Sequence, residues 1–444
     1  MCVLVALVPA QGHADGIAIV GGSPRAIGRA GAATVGDDGG GALLNNPAAM
    51  ARRDTTRIEL GAAATEDDIE WQSDADGSPR SVGRAGSRSA PLGAVIGAFG
   101  NWVIGVGAMT AAVVDRSLPR PGDADPATAL DLANRYNYRY AGIAGSYRRD
   151  TVALGIARRF GDSLALGISL GAARVSVVEH RRIFASPVGE IGTTVGDIDL
   201  TFSATDPVSE SAVAGVLYAS PDAPIELGAS VAWTRAVELA GTAAAAETPL
   251  GPRLMTTAPS ATLRLTQPLV VRAGGRYVGD RVVAELDGDL WLAARGAESA
   301  TWSVTGVHVF DAAHAGVDVS RVPSRIAQRT HVAWRAAVDV AIVPGFLWAT
   351  SGYAFATRGT PADRMSPSFG DLGGHTLGLG LEATSGGVTA TLGWSRTWAL
   401  ESRAASAFRL DNPFLTVEGP VLPGTYYGQV DQVGVLIDAE LGGR

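Results

Sequence analysis

The chain of 444 residues contains no lysine and only one cysteine, Cys2. All 36 basic side chains are therefore arginines, a pattern that fits a GC-rich coding sequence. The net charge is −8 and no arginine-rich block stands out, so a nucleic-acid surface is not expected. Beyond the first 14 residues no apolar run approaches the roughly 18 residues that a membrane helix requires. That argues against a helical membrane protein, although 46% of the residues are hydrophobic. No GxxxxGK[ST] occurs, so no nucleotide site is expected. The six histidines are scattered without HxxxH or HExxH spacing, which argues against a zinc hydrolase. No metal and no cofactor are expected. A soluble chain of this length would suggest two or three domains.

The start, MCVLVALVPAQGHADG, has an apolar core from Val3 to Ala10, and Gly12-His13-Ala14 has the small-x-small form of an export cleavage site. Residues 1–14 are expected to be a signal peptide whose positively charged beginning is missing; a buried N-terminal strand is the alternative. If cleavage follows Ala14, Cys2 leaves with the signal. The mature chain then has no thiol, which removes cysteine nucleophiles, cysteine metal sites and disulfides together.

From Thr55 onward the dominant period is two. In LALGISLGAA, Leu164, Leu166, Ile168, Leu170 and Ala172 share one face, while Ala165, Gly167, Ser169, Gly171 and Ala173 share the other. Ile225–Thr234, Leu377–Thr384, Val388–Leu400 and Gln432–Leu441 repeat the pattern. Such alternation predicts β-strands with one apolar face. Fourteen strands can be drawn, near 55–65, 92–99, 102–113, 151–160, 163–178, 211–219, 224–240, 261–278, 281–293, 331–343, 346–358, 374–384, 387–400 and 425–441. Within successive pairs the links are tight turns: Gly100-Asn101, Gly161-Asp162, Ser220–Ala223, Gly279-Asp280, Pro344-Gly345 and Ser385–Gly387. Between pairs the links are long: 66–91, 114–150, 179–210, 241–260, 294–330, 359–373 and 401–424.

An even number of strands with short turns on one side and long loops on the other is the pattern of an outer-membrane barrel. In lipid an open sheet edge leaves backbone groups unpaired, so the sheet must close. Trp102, Trp233, Trp394 and Trp398 near strand ends fit an interfacial girdle. A soluble β-protein is the alternative. Arg396 fits poorly, since it falls on an apolar face; a bulge or a position above the membrane would accommodate it. Fourteen strands enclose more space than their side chains fill. Residues 15–54, rich in Gly, Ala and turn residues and ahead of the first strand, can fold back as a plug, leaving 55–444 as the barrel.

The segment AIGRAGAATVGDDGGGALLNNPAAMAR resembles the N-terminal hatch of the long-chain fatty acid transport family (the FadL/TodX type). The matching positions are Gly28-Arg29-Ala30, Asp37-Asp38 and Asn46-Pro47-Ala48. Gly352–Glu382 and the closing GTYYGQVDQVGVLIDAEL also look like that family's late strands. The resemblance implies a monomeric, fourteen-stranded, all-β barrel in a Gram-negative outer membrane, with a hatch in its lumen. It implies passive uptake of a hydrophobic small molecule, a long-chain fatty acid or an aromatic hydrocarbon, by hatch rearrangement and lateral release. The partners implied are that ligand, outer-membrane lipid and the barrel-assembly machinery. Two positions depart from the pattern. The asparagine is doubled, Asn45-Asn46, and the chain ends Leu441-Gly442-Gly443-Arg444 instead of on an aromatic residue.

On this reading Gly28, Asp37, Asp38, Asn45, Asn46, Pro47 and Ala48 are the candidate gating residues. Pro47 fixes a dihedral and lacks a donor, and Asn46 can bond the local backbone; an ordinary turn into the first strand is the alternative. Asp37 and Asp38 could anchor the hatch to arginines of the wall, or form a solvated acidic turn. Ile183, Phe184, Ile198, Leu200 and Phe202 are apolar for a loop and are candidates for ligand capture; a strand extension above the membrane is the alternative. An arginine near the pocket could pair with a ligand carboxylate. The GISLG stretch, 167–171, matches G-x-S-x-G but lies within a strand, where no nucleophile elbow forms. No enzyme is expected. A non-transport barrel acting as an assembly or secretion scaffold is the competing function.

Overall fold

The computed structural model describes residues 22–74, 80–119, 137–186, 196–248, 251–310, 316–404, 412–414 and 424–441. The expected signal peptide and the terminal Gly442–Arg444 lie outside these residues. The barrel strands are β1 (Thr56–Ser73), β2 (Arg88–Phe99), β3 (Trp102–Ser117), β4 (Ala144–Phe160), β5 (Leu164–Phe184), β6 (Asp197–Ala219) and β7 (Ile225–Thr234). They continue as β8 (Leu269–Val278), β9 (Val282–Leu292), β10 (His331–Val343), β11 (Leu347–Ala356), β12 (Gly374–Ser385), β13 (Val388–Ala399) and β14 (Gly424–Leu441). Each pairs antiparallel with the next, and β14 returns to β1 from Thr56↔Leu441 to Ser73↔Gly424. The ring therefore closes on itself, as backbone hydrogen bonding in lipid requires.

The alternation in β5 decides which face meets lipid. Leu166, Ile168 and Leu170 are 47%, 46% and 60% exposed, whereas Ala165 and Ser169 are buried. A sandwich would bury the leucines; here they form the outer belt and the small residues face the lumen. Leu60, Leu154, Leu227, Leu392 and Ile437 continue that belt around the ring. Trp102 stands exposed at the turn end of β3, and Trp233, Trp334 and Trp398 stand exposed at the opposite end of their strands, the two levels of an aromatic girdle. Trp394 lies lower on the same face of β13 as Trp398. Gly161 and Gly345 supply the left-handed backbone that their tight turns require, with φ of 63° and 75°.

Several segments read as loops are strands instead. β1 runs on to Ser73, β5 to Phe184, and β6 begins at Asp197. Above β7 the strand Val237–Glu247 continues along β6 in the same register, and it pairs with Arg253–Leu265, which pairs with Thr301–Phe310. The period of two persists there, but the outward positions become polar. Ile198, Leu200, Phe202 and Ala204 are buried on the inner face, while Asp199, Thr201, Ser203 and Thr205 alternate with them on the other. Loss of lipid-facing side chains, not loss of strand, is what made these segments look like loops.

Arg396 needs no bulge. It faces Asp431 directly across the β13–β14 ladder, and its Nε and Nη2 donate to the two carboxylate oxygens at 2.9 and 2.8 Å. The pair lies beside Trp398, where the apolar belt gives way to polar positions.

Candidate functional site

Residues 22–55, ahead of β1, lie inside the ring, most of them buried. A short helix, α1 (Pro24–Gly28), starts with Ser23 Oγ accepting from the Ala26 amide and with proline at its first position. After a turn of helix at Gly40–Leu43, a further one covers Pro47–Arg52, where Asn46 Oδ1 accepts from the Ala48 amide at 3.2 Å and Pro47 again holds the first position. Asn46 Nδ2 donates to Thr34 O at 2.9 Å and to Val216 O of β6 at 3.2 Å. This one buried side chain therefore ties two parts of the segment to each other and to the wall.

The wall receives the segment on glycine. A Cβ added at Gly167 of β5 would lie 2.4 Å from the Ala48 nitrogen and 2.5 Å from the Pro47 carbonyl carbon. On the other side of the lumen, a Cβ at Gly352 of β11 would lie 2.2 Å from the Arg29 carbonyl carbon, and one at Gly378 of β12 would lie 2.6 Å from the Ala30 nitrogen. Gly28 itself faces Gly380, with 2.9 Å between an added Cβ and the Gly380 Cα. Ser169 Oγ donates to Leu43 O, and Ser230 Oγ donates to Asn45 O, both at 2.5 Å. The serine of GISLG is thus a fastening for the segment.

Charge completes the attachment, with the opposite polarity to the one expected. Arginines of the segment reach acids of the wall: Arg29 to Glu285 of β9, Arg25 to Glu382 of β12 at 3.0 Å, and Arg52 to Glu226 of β7. Wall carboxylates also accept from segment amides. Asp287 takes Ala33 N and Thr34 N at 2.8 and 2.9 Å, Glu285 takes Val35 N and Gly36 N at 2.8 and 3.0 Å, and Glu59 takes Gly40 N at 2.6 Å. Asp38 instead bonds within the segment, to Arg25 and Arg53. Asp37 accepts from Ser23 Oγ at 2.7 Å and from Gly39 N. Burial works to raise the Asp38 carboxyl, but the guanidiniums of Arg53 and Arg25 outweigh it and hold it below the ordinary carboxylate range. Asp37 is pushed up by its burial, against the pull of Arg25.

Cavities lie on both sides of the segment. An upper cavity of about 250 Å³ is bounded by Tyr147, Gln267, Trp291, Gln328, Phe369 and Asp371, among others. Below it, one of about 210 Å³ has Gly31, Ala33, Thr34, Leu44 and Asn45 of the segment in its lining. The two share Arg149, Thr234, Val270 and Trp291, so they form one stack whose floor is the segment. Towards the tight-turn end a polar cavity of about 330 Å³ is lined by Arg25, Arg29, Asp38, Arg53 and Arg57 with Asp339 and Glu382 of the wall. Arg149 donates to Ser209 Oγ over 3.5 Å, a weak bond, at the junction of the two stacked cavities.

The wall is interrupted between β2 and β3. Their ladder runs up to Leu92↔Met109, and β3 is paired on that side again only at Ala85↔Arg116, by the short strand Arg84–Ala85 that precedes β2. Pro91, at the lower edge of the gap, has no amide to donate, and the ladder between β3 and β4 slips between Thr110 and Ala112. Side chains bridge the gap: Arg88 pairs with Asp115, and Arg148 donates to Ser89 O at 3.1 Å and to Thr110 Oγ1 at 2.8 Å. Ala111, at that slip, lines the lower of the stacked cavities.

Sequence reasoning singled out Gly28, Asp37, Asp38, Asn45, Asn46, Pro47 and Ala48; the structure places all seven inside the ring, with Gly28 against β12 and Asn46–Ala48 across the lumen against β5 and β6. The five apolar capture candidates are placed differently. Ile183, Ile198, Leu200 and Phe202 are at most 2% exposed, in a core under the upper sheet where Phe202 stacks on Trp302 at 4.7 Å. Phe184 is equally buried in a neighbouring cluster with Trp71, Tyr138 and Met365. They do not form an open groove, because the inner face of a strand extension is a packing surface. Arg149, Glu285 and Asp287 were missed. Only their inward register position marks them, and that is not readable until the neighbours are known.

No protein-family model matches the chain, and no curated protein does. Among solved structures, a FadL homologue of Pseudomonas aeruginosa superposes with a TM-score of 0.70 at 14% identity, over 96% of this chain and 99% of that one. The toluene transporter TodX of P. putida gives 0.69 at 14% identity, over 96% and 100%. The toluene transporter TbuX of Ralstonia pickettii gives 0.63 at 14% identity, over 93% and 97%. At that identity the likeness is one of fold.

Proposed function

We propose that the chain is a Gram-negative outer-membrane transporter for the passive uptake of hydrophobic compounds, working as a monomer with residues 15–54 as a hatch and 55–444 as the barrel. The observation that carries this reading is the segment itself. It fills the lumen between a stack of cavities on one side and a polar cavity on the other, held by contacts that can be exchanged without unfolding a strand. A ligand in the stack rests on Thr34, Leu44 and Asn45. Movement of the Asn46–Ala48 turn would open a way past them, and the β2–β3 gap beside Ala111 is the outlet that this reading assigns to lateral release. The fold likeness to barrels described as toluene transporters and a FadL homologue supports the same reading.

The physics is favourable without an energy source. An apolar molecule gains about 0.8 kcal/mol for each CH₂ that it buries, and lateral release spares it a return to water. The stack offers Tyr147, Trp291 and Phe369 as apolar walls and Arg149 as a fork for a carboxylate. A compact ring-bearing acid fits these features better than an unsubstituted hydrocarbon. The test is uptake of a panel of fatty acids, aromatic acids and aromatic hydrocarbons by a host lacking its own transporter. Wild type is compared with Asn46→Ala, Pro47→Ala and Arg149→Ala at equal inserted levels. Uptake above the empty host, lowered by both hatch changes, supports gated transport. No uptake of any compound by an inserted barrel rejects it in favour of the scaffold function.

A further inference from the structure

Thr266, Gln267 and Pro268 run between the upper strand Arg253–Leu265 and β8 with no ladder partner on either flank. β7 pairs with β8 up to Ala232↔Val270, and the ladder resumes only at Val237↔Leu265. On the other flank the last pair with β9 is Leu269↔Leu292, and pairing above begins at Thr262↔Ser303. Pro268 cannot donate to the strand opposite it, and the side chains here do not replace the missing bonds. Thr266 Oγ1 is buried with no hydrogen-bond partner among the described residues.

The break lies at a defined height. Just below it, Trp233 and Leu269 stand exposed on the lipid face. Just above it, Arg264 and Glu238 form an exposed ion pair at 3.8 Å. It therefore sits where an apolar belt meets charge, the level of outer-leaflet headgroups. Gln267 and Pro268 line the upper cavity and are also half-exposed, so the cavity there is one residue away from the outer surface. Inside, Gln328 Oε1 is a second buried atom without a partner, and Gln328 lines the same cavity as Arg149. The route from above is covered instead. Arg139 is fully buried and donates to Asp197 at 2.8 Å and to Tyr140 Oη at 2.7 Å, and Tyr138, Phe184 and Met365 pack beside it. Opening that cover breaks a buried ion pair, whereas passage at the break displaces only side chains.

We infer that the β7–β8 break is a lateral portal through which an amphipathic acid, resting at the outer headgroup boundary, enters the upper cavity. Its ring passes between residues 236 and 266 into the cavity lined by Gln267 and Trp291, and its acidic end reaches Arg149, with a protonated or hydroxylated end satisfied by Gln328. The physiological use of the portal rests on the transport reading, but the portal itself is tested by binding.

Cysteines at Ala236→Cys and Thr266→Cys face each other in register across the break, and a short bismaleimide would close it. The probe is 2-naphthoate, added to purified protein in lipid nanodiscs and followed by its fluorescence. Cross-linking is expected to slow association by about tenfold or more while leaving the amplitude at saturation unchanged. Each single-cysteine form treated with the same reagent should keep the wild-type rate. Pro268→Val, which restores a ladder donor, should slow association without any reagent. An unchanged rate in the cross-linked protein overturns the portal, as does failure of wild type to bind the probe. Wild type that binds 2-naphthoate through the portal but takes up no compound of the uptake panel rejects the transport reading and leaves the portal standing.

Discussion

Replacing Gly167 by alanine should unseat the N-terminal segment without damaging the barrel. The added carbon would meet the Ala48 nitrogen at 2.4 Å and the Pro47 carbonyl carbon at 2.5 Å. Both are backbone atoms, so no side chain can swing away; the turn at Asn46–Ala48 must shift or the strand must bend. Overpacking of this kind typically costs about 1–3 kcal/mol. Because about 1.4 kcal/mol is a factor of ten, the population with the segment displaced should rise roughly 5- to 140-fold. The strand itself loses nothing, since alanine suits a sheet better than glycine does. The assay is ionic conductance in planar bilayers beside thermal unfolding of the purified protein. Gly288→Ala is the control, because a Cβ there meets nothing within 4 Å. More frequent or longer openings for Gly167→Ala, with unfolding close to the control, are expected. Conductance no different from the control would refute the claim that this glycine seats the segment.

Leu154→Arg places a charge in the middle of the outer belt and should destabilise the barrel by about 2–4 kcal/mol, read by denaturant unfolding in lipid vesicles. Arg149→Ala should weaken binding of aromatic acids and leave hydrocarbons of the same shape unaffected, measured by titration of the purified protein; equal losses for both would remove the carboxylate role. Closure by the segment should survive mild acid. Asp37 has a raised pKa, so its ionised form is costly, and falling pH relieves that cost. Asp38 has a lowered pKa, so its pairing with Arg25 and Arg53 is kept until the pH falls below its ordinary value of 3.8. Conductance should therefore not rise between pH 7 and pH 5, and a rise there contradicts the assignment.

The fourteen barrel strands and their six tight turns were legible because alternation of apolar and small residues over eight or more positions has one structural reading. The upper sheet was harder to see. At Ile198–Ala204 the period is intact, but Asp199 and Thr201 replace the lipid-facing leucines, and the segment reads as an exposed loop. The seating glycines were visible only as the small face of each strand. Nothing local says that Gly167 is reserved for Pro47 or Gly352 for Arg29, since those pairs are separated by long stretches of chain and meet through closure of the ring. The same holds for polarity. The acidic pair Asp37-Asp38 drew attention because it is contiguous, whereas Glu285 and Asp287, which hold the segment's amides, are spaced along a strand among apolar neighbours.

The segment also spans the one seam that joins the two ends of the sheet. On one side of that seam, Pro24 lies on Gly434 of β14; on the other, Glu59 of β1 holds the Gly40 amide and Gly61 approaches the Pro24 ring. The β1–β14 seam is the last ladder that can form when a sheet becomes a ring, because its strands are farthest apart in the chain. A segment attached directly to β1 and packed on β14 holds those two strands against each other by contacts separate from their own ladder. Shortening these residues should therefore lower the yield of inserted barrel, measured beside the conductance of the barrels that do insert.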